Sequence, residues 1–280
     1  MKLSPKIGSD LRSAVATPRP NQPIIIPSAI YDYLYATITS EHSTNLVANF
    51  QRLCGITIHG KITNRFIFMY FKIASALGDE CFYLMPGLFW LAFPLAIPFV
   101  TNFLVLLLMG QLTKDLFRLP RPIVNKDSSS RSSNPLIVLD MSYETEYGLP
   151  STHTMSGLLP IALLLSYSRH SDMQPSWSAW LLCAIYAISV ALSRLYLGVH
   201  SICDIIGGAA LGGGLIIILH IYGDVLDTIL YQQWYSIFII LGSTVIFTTS
   251  YPGTRSSWTA SYGTSAEVFG AWLGLSLAMW

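Results

Sequence analysis

Charged residues are scarce in this sequence. Asp, Glu, Lys and Arg make up only 11% of its 280 residues, whereas 52% are hydrophobic, and a typical soluble domain is about 25% charged. The formal net charge is +1, which gives no electrostatic basis for binding a nucleic acid. This composition excludes an ordinary cytosolic protein, a disordered chain and a nucleic-acid-binding protein, and it indicates a protein of the membrane.

Cysteine motifs and targeting signals are also missing. The four cysteines are too few and too scattered for a disulfide scaffold, and neither a Cys-x-x-Cys pair nor zinc-ligand spacing occurs. No acidic cluster with metal-ligand spacing occurs either, and we predict no metal and no cofactor. No apolar segment with a cleavage site follows Lys2, so the first apolar stretch, near residue 66, is expected to act as an uncleaved insertion signal.

Long apolar runs are abundant. A helix needs about 20 predominantly apolar residues to cross a bilayer, whereas the strands of a membrane barrel would alternate apolar and polar residues over about ten residues. The runs predict an all-α, polytopic transmembrane helical bundle of about six or seven spans. They cover residues 81–113, 153–168, 177–197, 201–222, 234–251 and 266–280.

The first run leaves two alternatives. Pro94 and Pro98 interrupt residues 81–113, and proline disrupts a helix because it lacks a backbone N–H and its ring clashes with the preceding turn. The run therefore predicts either two spans, at 81–97 and 98–113, or one long kinked helix.

The ends of the chain are less regular. Residues 1–60 contain several prolines and mix apolar with polar residues. We therefore predict a partly disordered, cytosolic N-terminal region there, followed by a transmembrane domain over 61–280. Residues 66–78 predict a short or partly interfacial helix. The run 266–280 is too short to span the bilayer comfortably, which indicates either a truncated chain or a re-entrant end.

Polar residues that interrupt the apolar runs fall into three clusters. They are KDLFRLPRP at 114–122, GLPSTH at 148–153 and SRLYLGVHSICD at 193–204. Each cluster lies at the edge of an apolar run, and counting the spans between them places all three on the same side of the membrane. We therefore expect their side chains to converge on a functional site, because ionisable residues at membrane depth are costly and rare elsewhere.

The three clusters contain groups that bind a phosphoryl group. Lys114, Arg121 and Arg194 are cations, and a guanidinium can pair with two phosphate oxygens at once. Ser151 lies at the start of an apolar helix, where its hydroxyl and the free backbone N–H groups can hold an anion. The alternative is that the cations of the first cluster anchor a helix end among the lipid headgroups.

The same clusters contain groups for nucleophilic and acid–base chemistry. Asp204 follows His200 by four residues, which in a helix places both on one face. The carboxylate can hold one imidazole nitrogen, and the other nitrogen is then free to attack phosphorus as a nucleophile. His153, in the first turn of its helix, can protonate the leaving alkoxide and then activate water. The set predicts metal-independent hydrolysis of a phosphomonoester through a phosphohistidine.

Spacing within the clusters resembles the three signature motifs of the type 2 phosphatidic acid phosphatase superfamily. The pattern is Lys-x6-Arg-Pro, then Pro-Ser-x-His, then Ser-Arg-x5-His-x3-Asp, and it covers residues 114–204. The resemblance implies that His200 is the nucleophile, Asp204 its orienting carboxylate and His153 the acid and base. It also implies phosphate ligands at Lys114, Arg121, Ser151 and Arg194.

Flanking segments resemble the sphingoid-base phosphate phosphatases of the endoplasmic reticulum within this superfamily. Thr152 stands where the superfamily usually has Gly, and this branch commonly carries Ser or Thr there. The resemblance implies a multi-pass enzyme of the endoplasmic-reticulum membrane, and it adds Thr152 to the phosphate ligands, through its hydroxyl or its backbone N–H. The similar segments are LGDECFY at 77–83, PGLFW at 86–90, GQLTKD at 110–115 and EYGLPSTHT at 146–154.

The remaining charged residues orient the chain. Most Lys and Arg residues outside the proposed site fall on the side of the N-terminus and of Arg169. Positive charge is enriched on the cytosolic side, so the active site is expected in the lumen, and the resemblance implies the same orientation. Asp79 and Glu80 lie between two apolar runs and predict a helix end at the interface, with a place at the mouth of the site as the alternative.

Other functions fit parts of the same pattern. The motifs do not separate sphingoid-base phosphates from phosphatidate, a polyprenyl diphosphate or glucose 6-phosphate. A transporter for phosphate or a phospholipid would also present cations to a cavity, but it needs no pair of histidines placed as acid and nucleophile, and no inverted repeat is visible. A scaffold without activity would not need every motif residue. We predict a lipid phosphatase whose partners are its membrane lipid substrate and the bilayer.

Overall fold

The computed structural model describes residues 27–83, 96–122, 135–140, 146–172, 174–251 and 259–278. These residues are mainly helical, and the predicted all-α fold is confirmed. The helices are α1 Ser28–Thr39, α2 Glu41–Leu53, α3 Arg65–Leu77, α4 Ala96–Phe117, α5 Thr152–Ser156, α6 Leu159–His170, α7 Trp177–Tyr196, α8 Ile202–Asp227, α9 Ser236–Ser250 and α10 Ala260–Ala278. A π-helical turn at Thr228–Gln232 continues α8.

Three of the described helices are long and apolar enough to cross a membrane. They are Ile97–Phe117 in α4, Trp177–Tyr196 in α7, and Ile202–Gln232 in α8 with its π-helical turn. A transmembrane helical protein is therefore confirmed. The predicted span 81–97 lies largely outside the described residues, so the total number of spans stays a prediction.

The predicted run 153–168 forms two helices instead of one. Helix α5 ends at Ser156, and α6 begins at Leu159. Pro160 lies in the first turn of α6, and its missing N–H cannot complete a helical hydrogen bond to the carbonyl four residues earlier. His153 therefore lies in the short α5, separate from the apolar α6.

The last helix begins earlier than the apolar run predicted. Helix α10 starts at Ala260 and has 19 residues, whereas the run begins at residue 266. Its first turns are rich in hydroxyl side chains that lower the apolar signal. A buried hydroxyl can still be accommodated in a helix by bonding to the backbone, and Ser265 Oγ donates to the carbonyl of Ser261 at 2.8 Å.

A capping box fixes the start of α8. Ser201 Oγ accepts a hydrogen bond from the Asp204 N–H at 3.2 Å, and Asp204 Oδ2 accepts one from the Ser201 N–H at 2.7 Å. These reciprocal bonds satisfy N–H groups that a helix leaves free in its first turn. The Ser151 N–H donates to the Asp204 carbonyl at 3.0 Å, which joins the start of α5 to the start of α8.

Two glycines allow α5 to lie close to its neighbours. A Cβ added to Gly208 in α8 would lie 2.6 Å from the carbonyl oxygen of Ser151, and one added to Gly110 in α4 would lie 2.8 Å from Cγ2 of Thr152. These separations are shorter than van der Waals contact, so the helices can approach this closely only because glycine has no Cβ at these two positions. Both α4 and α8 can therefore pack directly against the second polar cluster.

The N-terminal region contributes two helices that the prolines of the first 60 residues had obscured. Residues 28–53 contain no proline and form α1 and α2. Gln51 of α2 donates through Nε2 to the carbonyls of Ile137, at 2.7 Å, and Tyr196, at 2.9 Å. This buried amide ties α2 to the end of α7, just beyond Arg194. The domain boundary at residue 60 stays a prediction.

Replacing Gly208 by Ala should weaken the junction between α5 and α8. The added methyl group would overlap the Ser151 carbonyl, and overpacking of this kind costs about 1–3 kcal/mol. We expect Gly208→Ala to lower the unfolding temperature of the purified protein in detergent. Gly213→Ala is the matched control, because a Cβ at Gly213 of the same helix meets nothing within 4 Å. Equal unfolding temperatures for the two variants would contradict this packing.

Candidate active site

Lys114 connects the first polar cluster to the second. It lies in the last turn of α4 and is 1% exposed. Its Nζ donates to Glu146 Oε2 at 2.8 Å and to Thr152 Oγ1 at 3.3 Å. A buried ammonium requires such partners, because an unpaired charge away from water is costly. The cation therefore holds the end of α4 against the start of α5.

Arg121 connects the first cluster to the third. Its Nη1 donates to the Val199 carbonyl at 2.9 Å and lies 3.0 Å from His200 Nε2. Its Nη2 donates to Glu146 Oε2 at 3.2 Å, so one carboxylate oxygen serves both Lys114 and Arg121. Burial opposes ionisation of Glu146, but these two positive charges outweigh it and lower the pKa of Glu146 to about 2. The Glu146 carboxylate thus neutralises two cations that the sequence predicted as phosphate ligands.

His200 is 1% exposed, and each of its ring nitrogens faces a charged side chain. Nδ1 lies 3.4 Å from Asp204 Oδ2, and Nε2 faces the Arg121 guanidinium. Because a guanidinium can only donate, Nε2 is the acceptor, and the ring proton lies on Nδ1, facing the carboxylate. Burial and the positive charges of Arg121 and Arg194 lower the pKa of His200 well below its usual value. This neutral imidazole is the form that a nucleophile requires.

Ser151 and Thr152 lie in the turn that begins α5. Ser151 Oγ caps the helix by accepting hydrogen bonds from the Thr154 N–H at 3.4 Å and from Thr154 Oγ1 at 3.0 Å. Thr152 contacts the cations directly, because its hydroxyl accepts from Lys114. Thr152 therefore lies next to Lys114 through its side chain. Ser151 is joined through its backbone to Asp204, the partner of His200.

His153 contacts a carboxylate from outside the three clusters. Its Nε2 lies 3.6 Å from Asp79 Oδ2. Ser156 Oγ donates to the Gly78 carbonyl at 2.5 Å, which holds the residue before Asp79 against α5. Asp79 Oδ1 accepts from the Cys81 N–H at 3.0 Å, so the carboxylate is fixed by the chain that follows it. The contact orients the imidazole, as carboxylate partners of functional histidines commonly do.

Arg194 is fully buried in the last turn of α7. Its Nη1 donates to Ser75 Oγ of α3 at 2.6 Å. Its charge is close enough to His200 to contribute to the lowered pKa of that imidazole. The structure therefore identifies a polar partner of Arg194 in α3 that the sequence analysis did not single out.

A cavity lies beside His153 and has about 450 Å³ of empty space, part of it open solvent. One part of its wall is acidic and is formed by Asp79, Glu80 and Glu146. Burial and the neighbouring carboxylates raise the pKa of Glu80 to about 7. Another part of the wall comes from α4, whose side chains there are Phe103, Leu106, Leu107 and Gln111.

Three acidic residues of the site were not predicted as site residues. Glu146 lies in one of the segments that carry the resemblance, and Asp79 and Glu80 lie in another. All three lie within segments that carry the family resemblance, in a chain with few charged residues, and this placement could have identified them as site residues. Because Asp79 and Glu80 line the cavity beside His153, the structure favours the alternative that placed them at the mouth of the site.

Potential metal ligands occur in pairs in this site. His200 contacts Asp204, and His153 contacts Asp79. Within the described ranges, no group of three or more His, Cys, Asp or Glu side chains is arranged to hold a metal ion. Metal independence is a separate question of chemistry and stays a prediction.

Comparison with known families identifies the relationship of this chain. The sequence model of the PAP2 superfamily matches residues 87–226, which is half of the chain and includes all three polar clusters. The chain belongs to the PAP2 superfamily. The family resemblance predicted from the spacing of the three clusters is therefore confirmed.

Curated relatives of this PAP2 chain include phosphatases named for sphingoid-base phosphates. It is 34% identical to sphingosine-1-phosphate phosphatase 1 of Mus musculus over 223 residues, 77% of this chain and 49% of that relative. It is 31% identical to a dihydrosphingosine 1-phosphate phosphatase of Schizosaccharomyces pombe over 173 residues, 58% of this chain and 39% of that relative. The chain spans about half the length of the relatives it matches, or less.

A solved PAP2 structure also resembles the chain. It is the transmembrane phosphatidylglycerolphosphate phosphatase of Bacillus subtilis, which is 19% identical in sequence. The superposition has a TM-score of 0.47 and covers 70% of this chain and 93% of the bacterial one.

Glu146→Gln should strengthen the binding of inorganic phosphate. The Glu146 carboxylate occupies donors of Lys114 and Arg121, so a free anion has to displace it. A neutral amide competes less well, because a charge-assisted hydrogen bond contributes about 1.5–3 kcal/mol. We expect the inhibition constant of phosphate, measured against a soluble aryl phosphate substrate, to fall about tenfold. Glu41→Gln, which neutralises an exposed carboxylate of α2, is the control, and an unchanged constant for Glu146→Gln would contradict the competition.

Proposed function

We propose that this chain is an integral-membrane lipid phosphatase that hydrolyses the phosphomonoester of sphingoid-base phosphates by a metal-independent phosphohistidine mechanism. The observation that supports it most directly is the position of His200, with Asp204 at one ring nitrogen and Arg121 at the other. A neutral imidazole that faces buried cations is suited to attack a phosphoryl group, because those cations stabilise the charge of the transition state.

In this proposal, the substrate phosphate replaces the Glu146 carboxylate at the cations. Lys114 and Arg121 now share one carboxylate oxygen, whereas a phosphate offers several oxygens and can accept two parallel bonds from a guanidinium. The Arg121 Nη1 donor also lies 3.0 Å from His200 Nε2. A phosphate oxygen that accepts from this donor brings phosphorus next to the attacking nitrogen.

The first chemical step transfers the phosphoryl group to His200. A bond forms between Nε2 and phosphorus as the bond from phosphorus to the lipid oxygen breaks. Asp204 stabilises the positive charge that develops on the ring, through the proton on Nδ1. His153 enters this step as the imidazolium, gives its proton to the departing alkoxide and becomes neutral, so the lipid leaves as an alcohol. The contact with Asp79 keeps the His153 ring oriented for this transfer.

The second step releases inorganic phosphate. Water attacks phosphorus from the side that the lipid alcohol has left, and His153 accepts a proton from this water. The bond between phosphorus and His200 Nε2 breaks, which returns His200 to its neutral form. The complete cycle consumes one water molecule and converts one phosphomonoester into an alcohol and phosphate, with the cations stabilising the transferring group in both steps.

The position of the site supports a lipid substrate. Lys114 lies in the last turn of α4, Arg194 in the last turn of α7 and Asp204 in the first turn of α8. These are the helices of membrane length, and the ends of such helices lie near the lipid headgroups. The relatives named for sphingoid-base phosphates support the substrate class. The resemblance to the endoplasmic-reticulum branch supports that membrane, with the site facing the lumen.

His200→Ala should abolish turnover because it removes the attacking nitrogen. We expect the rate of phosphate release from dihydrosphingosine 1-phosphate to fall at least about a thousandfold. Brief incubation of the unmodified chain with radiolabelled substrate should leave an acid-labile phosphate on the protein, and the variant should carry none. His59→Ala, which removes an exposed histidine, should behave like the unmodified chain. Turnover retained by His200→Ala would refute the mechanism.

Chelation of metal ions should not reduce the activity. The proposed steps use protein cations and two imidazoles, so no divalent ion is required to stabilise the phosphoryl group. Membranes that contain the chain should release phosphate from dihydrosphingosine 1-phosphate at the same rate with and without EDTA. Loss of activity in EDTA that added Mg²⁺ or Zn²⁺ restores would show that the reaction depends on a metal.

A further inference from the structure

The cavity beside His153 has features that phosphate transfer does not use. Asp79 and Glu80 contribute carboxylates to one part of its wall, and Phe103 and Leu107 of α4 contribute apolar side chains to another. Ligand sites usually combine an apolar surface with a few polar groups that fix the orientation of the ligand. A wall of this kind is suited to a ligand that carries a cation close to a hydrocarbon chain.

Gln111 provides a buried acceptor in this wall. Its side chain lines the cavity and is 3% exposed, and its Oε1 has no hydrogen-bond partner in the part of the chain that the structure describes. Buried amide oxygens are nearly always paired, because leaving one without a donor is costly. We therefore expect the ligand of this cavity to bring an N–H or O–H donor.

The cavity adjoins the site of phosphate transfer. Glu146 and Thr152 line it, and both also bond to Lys114 Nζ. His153 lines it as well, and His153 is the proposed acid for the departing lipid oxygen. A group in the cavity therefore lies on the leaving-group side of the substrate, a few atoms from phosphorus.

We propose that this cavity recognises the ammonium and hydroxyl groups of a sphingoid base, with Glu80 and Gln111 as the residues that determine this specificity. The inference rests on the proposed function, because binding of the phosphate brings the base into the cavity. In a sphingoid-base phosphate, the amine lies on the carbon next to the phosphate-bearing carbon, and a hydroxyl lies on the carbon after that. The ammonium donates to Glu80, and the remaining donor satisfies Gln111 Oε1.

The same wall disfavours a lipid phosphate without these donors. Phosphatidate carries ester groups near its phosphate, and ester oxygens only accept hydrogen bonds. They would leave Gln111 Oε1 without a donor and would place acceptors against the carboxylates of Asp79 and Glu80. A site that is built to receive a donor rejects an analogue lacking that donor more strongly than a merely apolar pocket does.

Glu80 and Gln111 can be tested separately from the catalytic groups. Among the described residues, neither has a hydrogen bond or ion pair to His153 or His200. Asp79 is unsuitable for the same test, because its contact with His153 would make a substitution there affect every substrate.

The experiment compares two substrates of equal chain length. One is dihydrosphingosine 1-phosphate, and the other is an unbranched alkyl phosphate that lacks both the amine and the hydroxyl. Phosphate release by membranes that contain the full chain gives kcat/KM for each. We expect the unmodified chain to prefer the sphingoid substrate by about a hundredfold or more. Glu80→Gln and Gln111→Leu should each reduce this preference about tenfold, mainly by raising KM for the sphingoid substrate.

Matched variants control for the chemical change itself. Glu41→Gln and Gln232→Leu make the same substitutions at exposed positions in α2 and in the π-helical turn, and they should leave the preference unchanged. Turnover of the alkyl phosphate is a control for folding in every variant, because it uses the same histidines and cations. The kcat/KM for the alkyl phosphate should stay within about twofold of the value for the unmodified chain in Glu80→Gln and Gln111→Leu.

Failure of this inference can be distinguished from failure of the proposed function. If the unmodified chain releases phosphate from neither substrate, the proposed function is wrong, and so is the proposed recognition of the sphingoid base by the cavity. If it releases phosphate from both substrates with similar kcat/KM, the phosphatase activity stands, and recognition of the amine and hydroxyl is wrong. Equal losses on both substrates in Glu80→Gln and Gln111→Leu would also overturn the specificity role.

Discussion

Buried positive charge is the constraint on which the arrangement of this structure depends. Lys114, Arg121 and Arg194 are each 5% exposed or less, and cations so far from water are stable only beside acceptors or negative charge. Arg121 has the central position, because its donors face both His200 and Glu146. These partners come from different segments. Three parts of the chain therefore meet at one guanidinium: the residues after α4, the segment before α5 and the turn before α8. Lys114 and Arg194 both lie in the last turns of membrane-length helices.

Each histidine of the site has a carboxylate partner, but the chain connects the two pairs differently. His200 and Asp204 lie four residues apart, and the capping box of α8 fixes the carboxylate. His153 and Asp79 are far apart in sequence, and their contact depends on the packing of α5 against the segment after α3. The geometry of the proposed nucleophile is therefore local, whereas the geometry of the proposed acid depends on tertiary packing. Changes in helix packing should affect the acid–base steps before they affect the nucleophile.

The acidic wall of the cavity adjoins the cations of the site, because Glu146 lines the cavity and bonds to both Lys114 and Arg121. Lys114 and Arg121 lie where the phosphoryl group is proposed to bind, and Asp79 and Glu80 lie in the cavity wall beside His153. A zwitterionic lipid that has its phosphate and amine on neighbouring carbons matches this arrangement, because each group meets charge of the opposite sign. The apolar wall of the cavity belongs to α4, a helix of membrane length.

The sequence by itself determined the membrane class and the helical fold, and it indicated the candidate reacting groups, because the length of an apolar run and the spacing of residues along a helix are local properties. The His200–Asp204 pair was predictable because four residues make about one helical turn, and the convergence of the three clusters followed from counting spans. Only the tertiary structure decided which acidic residues complete the site. Glu146 meets the cations and Asp79 meets His153 across long stretches of chain, through contacts that no sequence spacing encodes. A carboxylate between two apolar runs is compatible with a plain helix end, and packing alone decides whether it faces the lipid headgroups or the cavity.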